Sequence, residues 1–198
     1  PITVTIQDDA IRDALSQGSS LTLWHILSDG TAQPITDFQV EDDTITFDAA
    51  GFSVYVITKT IETYYVDKAG DTWKITVEYD SDAGIPEGAE LKVSEEGTED
   101  YLDETKAALH WTDKDYIFYA KFLDISIVKN GEDIHPTKPV IVTIQLMDVD
   151  AGVEQLQVVH FGEDGAEELP AEASDEAEVT FTTESFSVFG IGNVLHEV

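Results

Sequence analysis

Apolar and polar residues alternate with a period of two through most of this chain. Ile2, Val4 and Ile6 alternate with Thr3, Thr5 and Gln7, the signature of a half-buried strand. Leu21–Leu27 predicts a second strand, closed by the turn former Ser28-Asp29-Gly30. Trp73, Ile75, Val77 and Tyr79 line one face of the cleanest strand, and Ala89–Val93 predicts another. Tyr116–Val128 predicts a long strand with two phases, Phe118 and Phe122 in one, Leu123, Ile125 and Ile127 in the other. A bulge near Phe122 is expected to reconcile them. The period changes to helical over Thr98–Trp111, where Tyr101, Leu102, Thr105, Ala108 and Leu109 form a stripe. Thr98 is the expected cap, with Glu99, Asp100 and Asp103 at the positive end. A shorter helical turn is expected over Ala10–Leu15, ended by Gly18.

The pattern also repeats. Ile45–Ile57 and Val179–Ile191 are the same strand–turn–strand unit, each preceded by a matching strand, Val4–Gln7 and Val142–Gln145. His25 and His160 hold corresponding places between them. A repeat of this length marks a duplicated structural unit. Residues 1–60 are therefore expected to be the C-terminal half of one module and residues 61–198 a complete module, whose second half, 136–198, repeats 1–60. Near Lys59-Thr60-Ile61-Glu62 there is no Gly/Ser/Pro run, so the units should abut with limited swivel. The predicted architecture is mainly β: sandwich-like modules in tandem with one amphipathic helix.

Composition narrows the function classes. The 198 residues are 42% hydrophobic, enough to build cores despite the acidity. Ten Lys and Arg stand against 41 Asp and Glu, a formal net charge of −31. Nucleic acid and direct membrane insertion are not expected, since neither the basic footprint nor an apolar run of about 18 residues is present. The charge suits solubility and repulsion between neighbouring modules, and a monomer is expected. With no cysteine, disulfides, thiolate metal sites and Cys nucleophiles are excluded. Pro1 begins in mid-strand, so the chain reads as part of something longer.

Candidate chemistry is sparse. His25 and His160, at equivalent positions, predict a shared structural role such as a hydrogen bond to a turn carbonyl; His110, His135 and His196 lack ligand spacing. Asp80/Asp82 and Asp148/Asp150 offer paired carboxylates for calcium, yet neither stretch matches an EF-hand loop. With 41 acids no pair stands out for glycoside hydrolysis, and no phosphate loop, Gly-x-Ser-x-Gly elbow or His-Glu-x-x-His is present. Trp24, Tyr64, Tyr65, Trp111, Tyr116 and Tyr119 are mostly in core phases, with a sugar- or protein-binding surface as the other reading. No catalytic, cofactor-binding or metal-binding residue is assigned, and no enzyme is expected.

The order of these motifs carries a resemblance. Strand Trp73–Tyr79, Ala83-Gly84-Ile85-Pro86-Glu87-Gly88-Ala89-Glu90-Leu91, an acidic helix, Phe122–Ile127, Asn130-Gly131-Glu132, Val158–Phe161 and Phe186–Phe189 follow one another. This resembles the repeated stalk modules of cell-wall-anchored surface proteins of Gram-positive gut bacteria. The resemblance implies an extracellular, non-catalytic adhesin stalk whose partners are neighbouring repeats. The alternative is a binding module for a host glycan, mucin or immunoglobulin. Such modules are distantly similar to the paired β-domains of ankyrins and netrin receptors, some relatives of which cleave themselves at His-Phe-Ser; here Gly162 follows His160-Phe161, so the nucleophile is missing. Some cell-wall modules carry a Lys–Asn amide crosslink. Lys74 and Asn193 have the strand positions for one, but Lys74 alternates with Trp73 and Ile75 and should point outward.

Overall fold

The computed structural model describes residues 2–16, 21–49, 51, 54–147, 156–174 and 177–195. It is built almost entirely of antiparallel strands. The first unit opens with β1 (Ile2–Gln7), which pairs with β5 (Thr44–Ala49); β5 pairs in turn with β4 (Phe38–Glu41). Helix α1 (Asp9–Ser16) follows β1 and buries Ile11 and Ala14. Its start is fixed by the Asp8 carboxylate, which accepts the Ala10 N–H at 2.9 Å. Arg12 ties it to Asp42 and Asp43 in the β4–β5 turn.

The remaining strands make two larger sheets. The seven-stranded sheet runs in the order β14 (Ala171–Ser174), β15 (Glu178–Thr183), β11 (Val140–Leu146), β7 (Thr72–Tyr79), β6 (Val54–Val66), β2 (Thr22–Ile26), β3 (Ala32–Ile35). The other follows β10 (Glu132–Ile134), β9 (Tyr116–Lys129), β16 (Val188–Leu195), β12 (Gln157–Gly162), β13 (Gly165–Leu169), with β8 (Glu90–Glu95) on the free edge of β9. Between them lies the principal core. Trp73, Ile75 and Val77 of β7 and Val142 and Ile144 of β11 meet Leu123, Ile125 and Ile127 of β9 and Phe189 of β16. Each such side chain contributes on the order of 1.5–3 kcal/mol of burial free energy, and this makes the second unit a sandwich.

Helix α2 (Thr98–Ala108) covers the outer face of the β9 sheet and changes the reading of β9. Phe122 is as fully buried as its neighbour Leu123, because Tyr101 of α2 stacks on it at 5.5 Å and Phe161 packs edge-on at 6.0 Å. The strand is buried on both faces, so no bulge is needed at Phe122. The register irregularity lies where Tyr119 and Ile117 face Asn193 and Val194. Thr98 is the first helical residue and not the cap: Gly97 holds that place with no side-chain hydrogen bond. Thr105 and Leu109 are buried, while Tyr101 and Leu102 are half-buried. Gly18 lies outside the described residues.

The duplication is structural. The arrangement β1–β5–β4 with β3–β2–β6 recurs as β11–β15–β14 with β13–β12–β16. One difference matters. In the second unit β7 pairs with the outer edge of β11, whereas the corresponding edge of β1 carries no strand among the described residues.

The two units share β6. Its first half, residues 54–58, pairs with β2; its second half, 59–66, pairs with β7. The position at 60/61 is therefore interior to a continuous strand. The seven-stranded sheet also curls until its ends meet. Gln33 of β3 donates to Glu172 of β14 at 2.7 Å, Thr182 of β15 donates to the Gly30 carbonyl at 3.1 Å, and Trp24 and Ala32 pack on Ile141.

Candidate functional site

Among the described residues, the buried carboxylates Glu78 and Asp67 lie in two separate places and differ in how they are satisfied. The first lies inside the curl of the seven-stranded sheet. Glu78 alternates with the core residues Val77 and Tyr79, so its side chain leaves the main core and enters the space enclosed by β2 and β3. It lines a cavity of about 360 Å³ walled by Ile26, Val54, Val56, Thr58 and Ile141. Only 7% of Glu78 is exposed, and Oε2 has no hydrogen-bond partner. The indole Nε1 of Trp24, equally buried, also lacks one. Burial pushes the Glu78 carboxyl up to about 7; Thr22 and the Trp24 indole, which face it, offset part of that rise. Chemically this is one carboxyl able to exchange a proton near neutrality, or to accept a donor from a small ligand.

The second group closes one end of the principal core. Lys121 shares the inward phase of Leu123, Ile125 and Ile127 on β9. Its Nζ stands 2.7 Å from Asp67 Oδ2 and 2.9 Å from Glu95 Oε1. Asp67 belongs to the β6–β7 turn and Glu95 to the end of β8, so the three side chains join the two sheets. The Asp67 side chain has no solvent exposure. Its Oδ1 accepts the Ala69 N–H at 2.9 Å and the Asp71 N–H at 3.0 Å; its Oδ2 accepts the Trp73 indole N–H at 3.1 Å. Burial alone would raise the carboxyl, but Lys121, Trp73 and Asp71 together hold it down at about 2. Burial likewise works against the Lys121 ammonium, and the two carboxylates outweigh it, leaving its pKa raised. Glu95 is lowered against its own burial by the Lys68 N–H and Lys121.

The residues singled out in the sequence fall elsewhere. His25 and His160 are equivalent: each stacks on the aromatic residue opposite it, His25 on Tyr55 at 4.9 Å and His160 on Phe189 at 4.8 Å. His160 does not reach a turn carbonyl. The Ser187 hydroxyl bridges, 2.9 Å from His160 Nε2 and donating to the Phe161 carbonyl at 2.8 Å. Gly162 is the last residue of β12. Asp82 is engaged by Lys138, while Asp148 and Asp150 lie outside the described residues. Among the described residues no group of three His, Asp or Glu side chains is arranged to hold a metal. Lys74 points away from the core and pairs with Glu62 at 3.0 Å; Asn193 is on β16. Trp24 and Trp111 are buried, Tyr65 is half-buried, and Tyr64 and Tyr116 are exposed.

Sequence reasoning missed both buried groups. Lys121 was within reach, since its phase already placed it among inward residues. Glu78 was not, because nothing local to β7 says that its outer face is covered. Among the described residues no helix is long and apolar enough to cross a membrane. No protein-family model matches the chain, and no curated protein does.

Proposed function

We propose that this chain is a non-catalytic structural unit of an extracellular, repeat-built bacterial surface protein, one and a half copies of a stalk module. The observation that carries the reading is β6, one strand that serves two units. A joint made of continuous β-ladder transmits orientation from one repeat to the next, as a stalk requires and a flexible linker does not. The net charge of −31 keeps neighbouring stalks apart and soluble. The test is backbone NMR relaxation on the whole chain. One rotational correlation time for both units is expected; two separate times would overturn the stalk.

A second reading, a ligand-binding module, is favoured by the Glu78 cavity alone. A screen against host glycans, mucins and immunoglobulins distinguishes it. Saturable binding that is lost in Glu78→Gln would make the curl of the sheet a receptor site, and a blank with folded protein leaves the stalk.

A further inference from the structure

We propose that the Glu78 cavity binds a small primary ammonium ion carried on an apolar body, with the ammonium on the Glu78 carboxylate and the body against the aliphatic walls. The inference rests on the binding-module reading of this cavity, whose ligand class it names, and is independent of the stalk reading. The cavity is graded in depth. Thr58, Ile141 and Glu78 are 1%, 4% and 7% exposed and form its floor, whereas Val54, 60% exposed, stands at its mouth. Its volume of about 360 Å³ falls in the range of small-molecule sites, roughly 300–1,000 Å³, and the walls between floor and mouth are Ile26, Val56 and Pro139.

The polar side chains inside the cavity accept hydrogen bonds. Glu78 Oε2 has no partner among the described residues. The Thr182 hydroxyl spends its proton on the Gly30 carbonyl at 3.1 Å, and the Thr58 hydroxyl points its own at the Thr22 carbonyl at 3.4 Å. Both hydroxyl oxygens keep lone pairs. An ammonium, with three donors and no acceptor, is the head group that matches such a set.

Charge selects in the same direction. The net charge of −31 draws cations toward the chain and repels anions. The other charged groups at the cavity are Asp80 and Lys138, and Lys138 is engaged by Asp82, so its ammonium is neutralised where a cation would enter. Glu172 and Glu178 line a second cavity, bordered by Trp24, and do not reach this one. From β2, Thr22 and the Trp24 indole face the carboxyl and carry no charge. A bound ammonium therefore supplies the counter-charge that the fold withholds from Glu78, and binding takes the ionised carboxyl. The folded carboxyl titrates at about 7, so affinity is full above that value and falls about tenfold per pH unit below it.

Calorimetric titration of the whole chain with 2-phenylethylammonium, and with 2-phenylethanol as its neutral counterpart of the same shape, tests this. At pH 8 the ammonium is expected to saturate one site, with the alcohol at least about tenfold weaker, the scale of a lost charge-assisted hydrogen bond. At pH 5, where the amine is still charged, its affinity should be about a hundredfold lower. Glu78→Gln should lose at least about tenfold at pH 8. Val56→Phe, shown to be folded by circular dichroism, fills the cavity, keeps the carboxylate and should lose binding as well. Saturating ammonium should raise the unfolding midpoint of the wild type at pH 8 and leave that of Glu78→Gln unmoved. Binding that survives in Glu78→Gln would mean loose pairing with surface acids and would overturn the proposal, as would equal affinity for the alcohol. No binding at pH 8 would overturn it too. In that case a glycan or mucin hit that is lost in Glu78→Gln keeps the binding-module reading with a different ligand, and a blank in both removes that reading as well.

Discussion

Thr143 and Thr180 share a hydrogen bond of 3.1 Å across β11 and β15, and Thr5 and Thr46 share its counterpart, 3.2 Å, across β1 and β5. The same hydroxyl pair at the same place in two copies shows how closely the half-module is reproduced. Within a fold so repetitive, the informative positions are those where the copies differ.

Glu78 is one of them, and it gives the chain a pH dependence. Its folded pKa, about 7, lies above the ordinary 4.5. Between those values the folded state binds the proton more tightly, so stability is withdrawn as pH rises from about 4.5 through about 7. The difference corresponds to about 3 kcal/mol. Glu78→Gln is expected to leave stability near pH 4 almost unchanged and to raise it by about 2–3 kcal/mol at pH 8. Urea unfolding of both proteins at the two pH values checks this; equal midpoints at pH 8 would contradict the buried-carboxyl account.

Gly190 is another. A Cβ there would stand 2.8 Å from Phe122 Cε1 and 3.1 Å from Cδ1. The first copy carries Val56 at the corresponding position, where no α2 and no Phe122 press on the strand. Gly190→Val is expected to cost at least about 2 kcal/mol through overpacking. Thermal unfolding measures it, and a neutral substitution would mean that α2 can lift away.

His160 has the Ser187 hydroxyl on Nε2 and the Glu167 carboxylate 3.5 Å from Nδ1. Ser187→Ala removes the 2.9 Å contact to Nε2 and leaves a 3% exposed imidazole without that partner. A loss of about 1–3 kcal/mol is expected. Ser187→Thr, which keeps the hydroxyl, should recover part of it in the same denaturant titration.

These tests fall on features of uneven legibility. The strands of the second unit followed from strict alternation at Trp73–Tyr79 and Ile125–Ile127, and the duplication followed from Phe47/Phe181 and His25/His160. What alternation could not convey was a second layer. Phe122 looked like a change of phase because a helix distant in sequence supplies Tyr101 to its other side. Glu78 could not be placed from β7 alone, because only the curl of the sheet brings Trp24 over it. Lys121 shows the opposite case: its core phase was plain, and what was missing was the partner, Asp67, 54 positions away in a turn.

The shared strand supplies a further expectation. Thr60→Pro puts a proline in the interior of β6, opposite Glu78 of β7, and should cost about 3 kcal/mol or more. Hydrogen exchange should show protection falling together in β2 and in β7; loss confined to one would mean that the units are energetically separate.

β6 also bears on how the chain is made. A ribosome releases residues 54–58 before 72–79, so the first unit can dock β2 on β6 while the rest of that strand still has no neighbour. Its exposed ladder then waits for β7, and β7 waits for β11, more than sixty positions later. Such late closure slows folding and leaves an unpaired edge in the nascent chain. With 41 acidic side chains distributed along that chain, neighbouring nascent copies repel each other during the interval, so acidity here also protects synthesis.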